Sequence, residues 1–331
     1  MATRTFVTDR GDAGRRIDHV VQRHLAGLPG ATRSRVQRWI ADGAVAVNGR
    51  LVHRPAGRVA AGDTISVFTP HTAEPTRQPM LPSSTALEVL FEDESLLAIN
   101  KPAGVVVHPT HAHRSGTLMN ALLGHARHWP SGLRPSIVGR LDKLTSGVVL
   151  VAKGAAMHAA LQRAMTAATC EKHYLAIVYG RVNPPTGRID LRLRRDSLDR
   201  RKVIASEHAG VASLTHFVRL ARVAARPIGL ALLQCRLVTG RTHQIRVHLA
   251  ARGWPIVGDP VYGEPHWSRI VDSELAGALR AFPRQALHAS HLALVHPATH
   301  GRLEIDAPVP DDMGALLDLA RLVPREHSGR P

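Results

Sequence analysis

The chain has 331 residues and sets 43 Lys+Arg against 26 Asp+Glu, a formal charge of +17. That balance argues against an acidic or neutral binding surface and points to a polyanionic partner, nucleic acid first. The length suits two domains with cores of ordinary size, and the two distant cysteines, Cys170 and Cys235, speak against a disulfide scaffold or a thiolate zinc site.

No apolar run of membrane length occurs in the sequence, and the start, Met-Ala-Thr-Arg-Thr-Phe, lacks the apolar core of a secretion signal. The expected setting is the cytoplasm, with no membrane contact.

Residues 14–68 read as a compact basic module. Ile17, Val20, Val21 and Leu25 recur at helical spacing among Arg15, Arg16 and Arg23. Gly27 and Pro29-Gly30 break that helix. Thr32 or Ser34 can cap a second one, with Val36, Trp39 and Ile40 as its apolar stripe and Gly43 as its stop. Val45 and Val47 then alternate into Asn48-Gly49, the signature of a type I′ hairpin. Val59, Ile65 and Val67 complete a small strand-rich unit. Arg33, Arg35 and Arg38 cluster at the start of the second helix, where guanidinium groups and free backbone amides suit phosphate oxygens. For any single one of them a solvated basic face is the plainer account. Pro70, Pro75, Pro79 and Pro82 mark a semi-rigid linker over 71–85.

A second domain over 86–310 opens with two strand-like runs, LEVLF and SLLAIN. They lead into Lys101-Pro102-Ala103-Gly104-Val105-Val106-Val107-His108-Pro109, which reads as a bent strand. Residues 117–128 and 157–165 have helical spacing, and 170–180 alternate like a half-buried strand. Arg188, Arg192, Arg194, Arg195, Arg200, Arg201 and Lys202 belong to an exposed loop or hairpin. Thr239-Gly240-Arg241-Thr242 turns the chain into a further helix, and GWPIVGDPVYG is a turn-rich loop. LHASHLALVHP and LEIDAP read as closing strands, and 311–331 as a short terminal helix with a frayed tail.

One stretch stands apart, Gly139-Arg140-Leu141-Asp142-Lys143-Leu144-Thr145-Ser146-Gly147, set between short β-branched runs. A carboxylate on a loop held by buried strands is where functional residues concentrate, and an adjacent guanidinium would favour its ionised form. By local pattern alone an ordinary Asp turn is the plainer account. The 21 histidines raise the question of a metal. His108, His111 and His113 have no carboxylate near them, and His243 and His248 are five apart, so no metal is expected. Neither a phosphate-binding P-loop nor a dinucleotide fingerprint occurs, and no cofactor is expected. A lone carboxylate fits a glycosidase pair poorly and a rearrangement with no net water better. An aspartate can act there as covalent nucleophile or electrostatic stabiliser.

The segments RRIDHVVQRHL, SRVQRWIADGAVAVNG and GDTISV resemble the S4 RNA-binding domain in order and spacing, which implies structured RNA read by shape and backbone. GRLDKLTSG with VVLVAK, preceded by NKPAGVVVHP and followed by KHYLAIVYG and VTGRTHQIRVHLAARGWPIVGDPVYG, resembles the RluA family of pseudouridine synthases. That resemblance implies an α+β catalytic fold on a mixed, largely antiparallel sheet. It also implies an isomerase that breaks the N-glycosidic bond of a chosen uridine, turns the uracil and rejoins it through carbon. By position, Asp142 matches the catalytic aspartate and Tyr174 the tyrosine that stacks on the target base. Arg246 matches the basic partner of the aspartate, with Arg241 as competitor, and Arg140 an arginine that holds the extruded nucleotide's place. Arg15, Arg16, Arg33, Arg35 and Arg38 are the S4 candidates for RNA contact. Base flipping follows on physical grounds, because a stacked and paired uridine hides the reacting atoms.

The family usually has His before Arg-Leu-Asp, where this chain has Gly139; Gly is more typical of the sister RsuA family. The Thr145-Ser146-Gly147 ending and GRTHQIRVH favour RluA. The S4 resemblance implies a large structured substrate, ribosomal RNA of the large subunit, with transfer RNA as the alternative; a monomer is the default expectation for the acting form. A non-catalytic ribosome-assembly factor on the same fold and a histidine-built metal nuclease are the competing classes at this point.

Overall fold

The computed structural model describes residues 2–323 apart from 27, 29, 30, 70–79, 108–114, 200, 201, 225, 226, 264 and 265. The helix break at Gly27 and Pro29-Gly30, most of the proline linker, His108, His111, His113, Arg200, Arg201 and the tail after 323 lie outside the described residues. The chain forms two compact units, Met1–Pro79 and Met80–Pro331. No helix among the described residues is long and apolar enough to cross a membrane.

The first unit contains β1 (Ala2–Val7), α1 (Ile17–His24), α2 (Arg33–Ala41), β2 (Val45–Val47), β3 (Arg50–Leu51) and β4 (Thr64–Thr69), with sheet order β1-β4-β2-β3. Its core joins the apolar stripes of both helices, Ile17, Val21, Val36 and Ile40 among them, to Val45, Ile65 and Val67 of the strands. Asn48 and Gly49 both have positive φ, 49° and 78°, as a type I′ turn requires, and they set Val47 opposite Arg50. β1 has little apolar period of its own. Pairing along its whole length to β4, from Ala2↔Thr69 to Val7↔Thr64, specifies it instead.

Asp18 is fully buried at the start of α1 and would be costly there without a counter-charge. Arg16 supplies one through a two-pronged bond (Nε–Oδ1 and Nη2–Oδ2, both 2.9 Å), and Gln37 Nε2 adds a donor at 2.7 Å. The Arg16 guanidinium is thus committed to the fold.

The second unit is α+β. It runs β5 (Val89–Glu92), β6 (Leu96–Lys101), α3 (Leu118–His125), β7 (Ser136–Val138), β8 (Ser146–Ala152), α4 (Ala155–Ala164), β9 (Glu171–Tyr179), β10 (Thr186–Arg195) and β11 (Val203–Ser206). Then follow β12 (Val211–Val223), β13 (Leu230–Leu237), α5 (Gln244–Ala251), α6 (Ser273–Ala281), β14 (Leu287–Val295), β15 (Arg302–Asp306) and α7 (Asp311–Leu319). One mixed sheet of eleven strands is ordered β11-β10-β12-β13-β9-β14-β8-β6-β5, with β7 on β8 and β15 on β14. The β8–β14 pair is parallel; the other pairings are antiparallel. Late in sequence, β14 lies mid-sheet between β9 and β8, so β8, the strand that follows the Asp142 loop, is buried along its whole length.

One expectation changes. The strand through Lys101 stops at that residue instead of bending on to 107. Pro102 has no N–H to continue the ladder, and Gly104 turns the chain at φ 86°. The terminal helix α7 packs on the sheet, with Met313 and Leu316 buried in the same core as Ile177, Leu230 and Trp254. Cys170 and Cys235 are both buried and unbridged.

Candidate active site

Asp142 stands on the loop 139–145 between β7 and β8, and neighbouring elements pin that loop. Gly139 opens it at φ 76°, a conformation glycine adopts without penalty. Just beyond it, Gly147 lies so close to β14 that a Cβ there would overlap the Ala289 carbonyl. Lys101 is fully buried, and its Nζ donates to the carbonyls of Pro102 (2.8 Å), Val105 (3.0 Å) and Lys143 (3.2 Å). Burial, with the Arg284 charge acting the same way, draws this ammonium down to about 8. Gly104 N donates to the same Lys143 carbonyl at 2.8 Å, and Gln285 Nε2 donates to Thr145 Oγ1 at 2.9 Å.

The cation beside Asp142 comes from α5. Arg246 Nη1 donates to Asp142 Oδ2 at 2.9 Å. Its Nε and Nη2 grip Asp259 Oδ2 and Oδ1 at 2.7 and 2.8 Å. Asp259 is buried and also accepts the amides of Val261 (2.9 Å) and Tyr262 (3.1 Å). Burial works to raise the Asp259 carboxyl, but Arg246 and those amides hold it below the usual carboxylate range. Of the two candidate arginines, Arg246 makes the bond. Arg241 is exposed at the cleft and has no ion pair among the described residues.

The turn that aims α5 is closed by one buried side chain. Gln244 Oε1 accepts from Thr239 Oγ1 (2.8 Å) and from Arg241 N (3.0 Å). Its Nε2 donates to Leu214 O and Thr215 Oγ1, each at 3.0 Å. His243 precedes the helix in the left-handed conformation, φ 56°.

These elements enclose a cleft of about 190 Å³ that brings together Arg140, Asp142, Tyr174, Arg241, His243 and Arg246. Tyr174 reaches it from β9, half-buried, with Leu237 and Leu287 as apolar neighbours in the wall. Burial and the Asp142 charge push its phenol upward, so the ring stays uncharged at neutral pH. Exposed Arg140 donates from Nη2 to Thr242 Oγ1 at 2.8 Å. Both side-chain contacts to Asp142 go to Oδ2, which leaves Oδ1 without a partner among the described residues. A charged oxygen, a flat aromatic wall and exposed guanidinium groups together suit chemistry on one unstacked nucleotide.

In the first unit, Arg15, Arg33 and Arg38 are exposed, Arg35 is half-buried with its guanidinium 5.8 Å from the Trp39 ring centre, and Arg16 serves Asp18. The cluster of described residues that best approaches metal-ligand proximity is Asp9, Asp12 and His24. Arg23 pairs with both of its carboxylates, at 3.2 and 2.9 Å.

Three residues of the site do not stand out in the sequence. Asp259 and Tyr262 sit in what reads as a plain turn, and His243 reads there only against the spacing of a metal-ligand pair. A signal was present, since a carboxylate next to Pro-Val-Tyr-Gly in an arginine-rich protein needs a cation when buried.

A family model described as RNA pseudouridylate synthase matches residues 95–251, and one described as S4 domain matches residues 15–65. The chain is 39% identical, over 96% of its length and 88% of the relative's, to ribosomal large subunit pseudouridine synthase D of Nitrosomonas europaea. It is 40% identical to the protein of that description from Pseudomonas aeruginosa, over 93% of this chain and 92% of the relative. An uncharacterized RNA pseudouridine synthase of Bacillus subtilis is 38% identical over 88% and 90%. Among solved structures, human RNA pseudouridylate synthase domain containing 4 superposes with a TM-score of 0.58 at 25% identity, covering 72% of this chain and 95% of that one. The chain therefore belongs to the RNA pseudouridylate synthase family, in its RluA branch, as an isomerase of RNA uridines with an S4 domain at its N-terminal end.

Proposed function

We propose that this enzyme converts uridine to pseudouridine in large-subunit ribosomal RNA, with Asp142 acting on a flipped-out nucleotide. The observation that carries the assignment of Asp142 is its bond to buried Arg246 in a cleft walled by Tyr174. The relatives named for the large ribosomal subunit support the substrate.

In this reading the N1–C1′ bond breaks while Asp142 captures or stabilises the sugar carbon. The uracil turns against the Tyr174 ring, C5 bonds to C1′, the C5 proton leaves and N1 takes one up. Atoms and charge balance without water or an energy source, and the reading requires no metal and no cofactor. Arg246 keeps the carboxylate oriented, and Arg140 and Arg241 at the cleft meet the RNA backbone or fill the vacated place in the stack. The segment 14–70 binds RNA through Arg15, Arg33, Arg35 and Arg38; Arg16, tied to Asp18, contributes less. Residues 86–310 carry the chemistry, and the enzyme acts as a monomer in the cytoplasm.

Mapping pseudouridine in total RNA with and without the gene tests the substrate. Loss of signal at large-subunit positions is expected; loss only in transfer RNA would reassign it, and unchanged profiles would defeat the proposal. Tyr174→Phe should keep kcat within about threefold while Tyr174→Leu loses roughly 10-fold or more, because the flat face and not the hydroxyl does the holding. Equal losses in single-turnover assays would transfer the role to the hydroxyl.

A further inference from the structure

We propose that His243 is a second positioning residue for Asp142, presenting Nε2–H to Oδ2 in a tautomer set by Tyr262. The inference rests on the catalytic reading of Asp142. His243 Nε2 lies 3.8 Å from Asp142 Oδ2, and its Nδ1 lies 2.8 Å from the Tyr262 hydroxyl. That hydroxyl oxygen is also 2.9 Å from the backbone N of Val203 on β11. An amide N–H can only donate, so the phenol oxygen accepts there and its own hydrogen is left for Nδ1. Nδ1 is then the acceptor, and the imidazole proton sits on Nε2, on the side of the carboxylate.

The charged and titratable groups facing the ring are Asp142 and Arg140 from the loop, Arg246 from α5, and Asp259 and Tyr262 from the turn after α5. Burial outweighs the pull of Asp142 and moves the imidazole below its ordinary range, so the ring is neutral at pH 7. A neutral donor adds direction to the carboxylate without a second cation, since Arg246 already supplies the charge. Both contacts address Oδ2, and Oδ1 is left for the nucleotide. The 3.8 Å gap is the kind that closes when substrate arrives. His243 holds this place at φ 56°, a conformation unusual outside glycine and concentrated where function demands it.

Protonation reverses the benefit. An imidazolium at the same place would set a second positive charge beside Arg246 against Asp142 and weaken the carboxylate's hold on the electron-poor sugar carbon. Activity should therefore fall as pH drops through the range of this histidine.

The test uses the full chain, a transcript of large-subunit ribosomal RNA containing C5-tritiated uridine, and release of tritium between about pH 5 and about pH 9. His243→Leu should lower kcat roughly 10- to 100-fold with KM within about twofold. His243→Gln, whose amide N–H can replace Nε2–H, should stay within about fivefold of wild type and lose the acid limb of the pH profile. Tyr262→Phe keeps the ring against Arg246 but frees the tautomer, and should lower kcat by roughly 10-fold. Nitrogen NMR of His243 should show the proton on Nε2 in wild type and a mixture of tautomers in Tyr262→Phe. An acid limb retained in His243→Gln, an unaffected kcat in His243→Leu, or a proton on Nδ1 in wild type overturns this inference alone. A wild-type chain that forms no pseudouridine overturns it together with the proposed function.

Discussion

Asp142→Asn should abolish turnover, by roughly 10⁴-fold or more, while RNA affinity stays within about twofold of wild type. Asn has the same shape, and its carbonyl can still accept the Arg246 Nη1 hydrogen that Asp142 Oδ2 takes at 2.9 Å, so the loop pinned by Lys101 and Gln285 keeps its form. What disappears is the negative charge, and with it any capacity to capture or stabilise a sugar carbon that becomes electron-poor as the base leaves. Affinity should be spared because a carboxylate gives nothing to phosphate binding, which rests on cations and counterion release. Tritium release from C5-labelled RNA measures turnover, and filter binding at one fixed salt concentration measures affinity. Activity in the Asn variant above about one per cent of wild type would remove Asp142 from the chemistry.

Much of the first unit is legible in sequence because its signals are local. Asn48-Gly49 can hardly be anything but a tight hairpin turn, and the stripes through Val21 and Val36 fix two helices. The buried strand after the Asp142 loop is also readable, since Val148 to Ala152 form a continuous apolar run. The position of β14 is not. Nothing local in LHASHLALV says that a strand near the end of the chain lies between β9 and β8, because the partners of a strand are set by topology. The same limit applies to the site. Asp142, Tyr174 and Arg246 could be named from motifs, but Asp259 and Tyr262 act only through distances that folding creates. The sequence shows an Asp in a turn; the structure shows that it is fully enclosed and bound by one guanidinium and two amides. Lys101 shows the same gap. As a letter it marks a motif, and only in three dimensions do its three carbonyl partners tie two loops together.

The second large effect belongs to Arg246. Arg246→Met should lower the stability of the catalytic unit by about 3–5 kcal/mol, because it leaves Asp259 buried without a counter-charge. For a unit of this size that is a fall in Tm of roughly 6–20 °C. Activity should be lost as well, since Asp142 loses its anchoring donor. The two losses have different origins and can be separated. In Arg246→Met with Asp259→Leu the unpaired charge is gone, and stability should return by about half; full recovery is blocked because the amides of Val261 and Tyr262 lose their acceptor. Activity should not return at all. Arg246→Lys distinguishes further: one ammonium keeps the charge but cannot bridge two carboxylates with the fork that Nε, Nη1 and Nη2 provide. It should cost less stability than Met and still reduce kcat roughly 100-fold. If the double variant regained activity in step with stability, Arg246 would be a strut for Asp259 and nothing more, and the orientation of Asp142 would have to come from His243 and the loop itself.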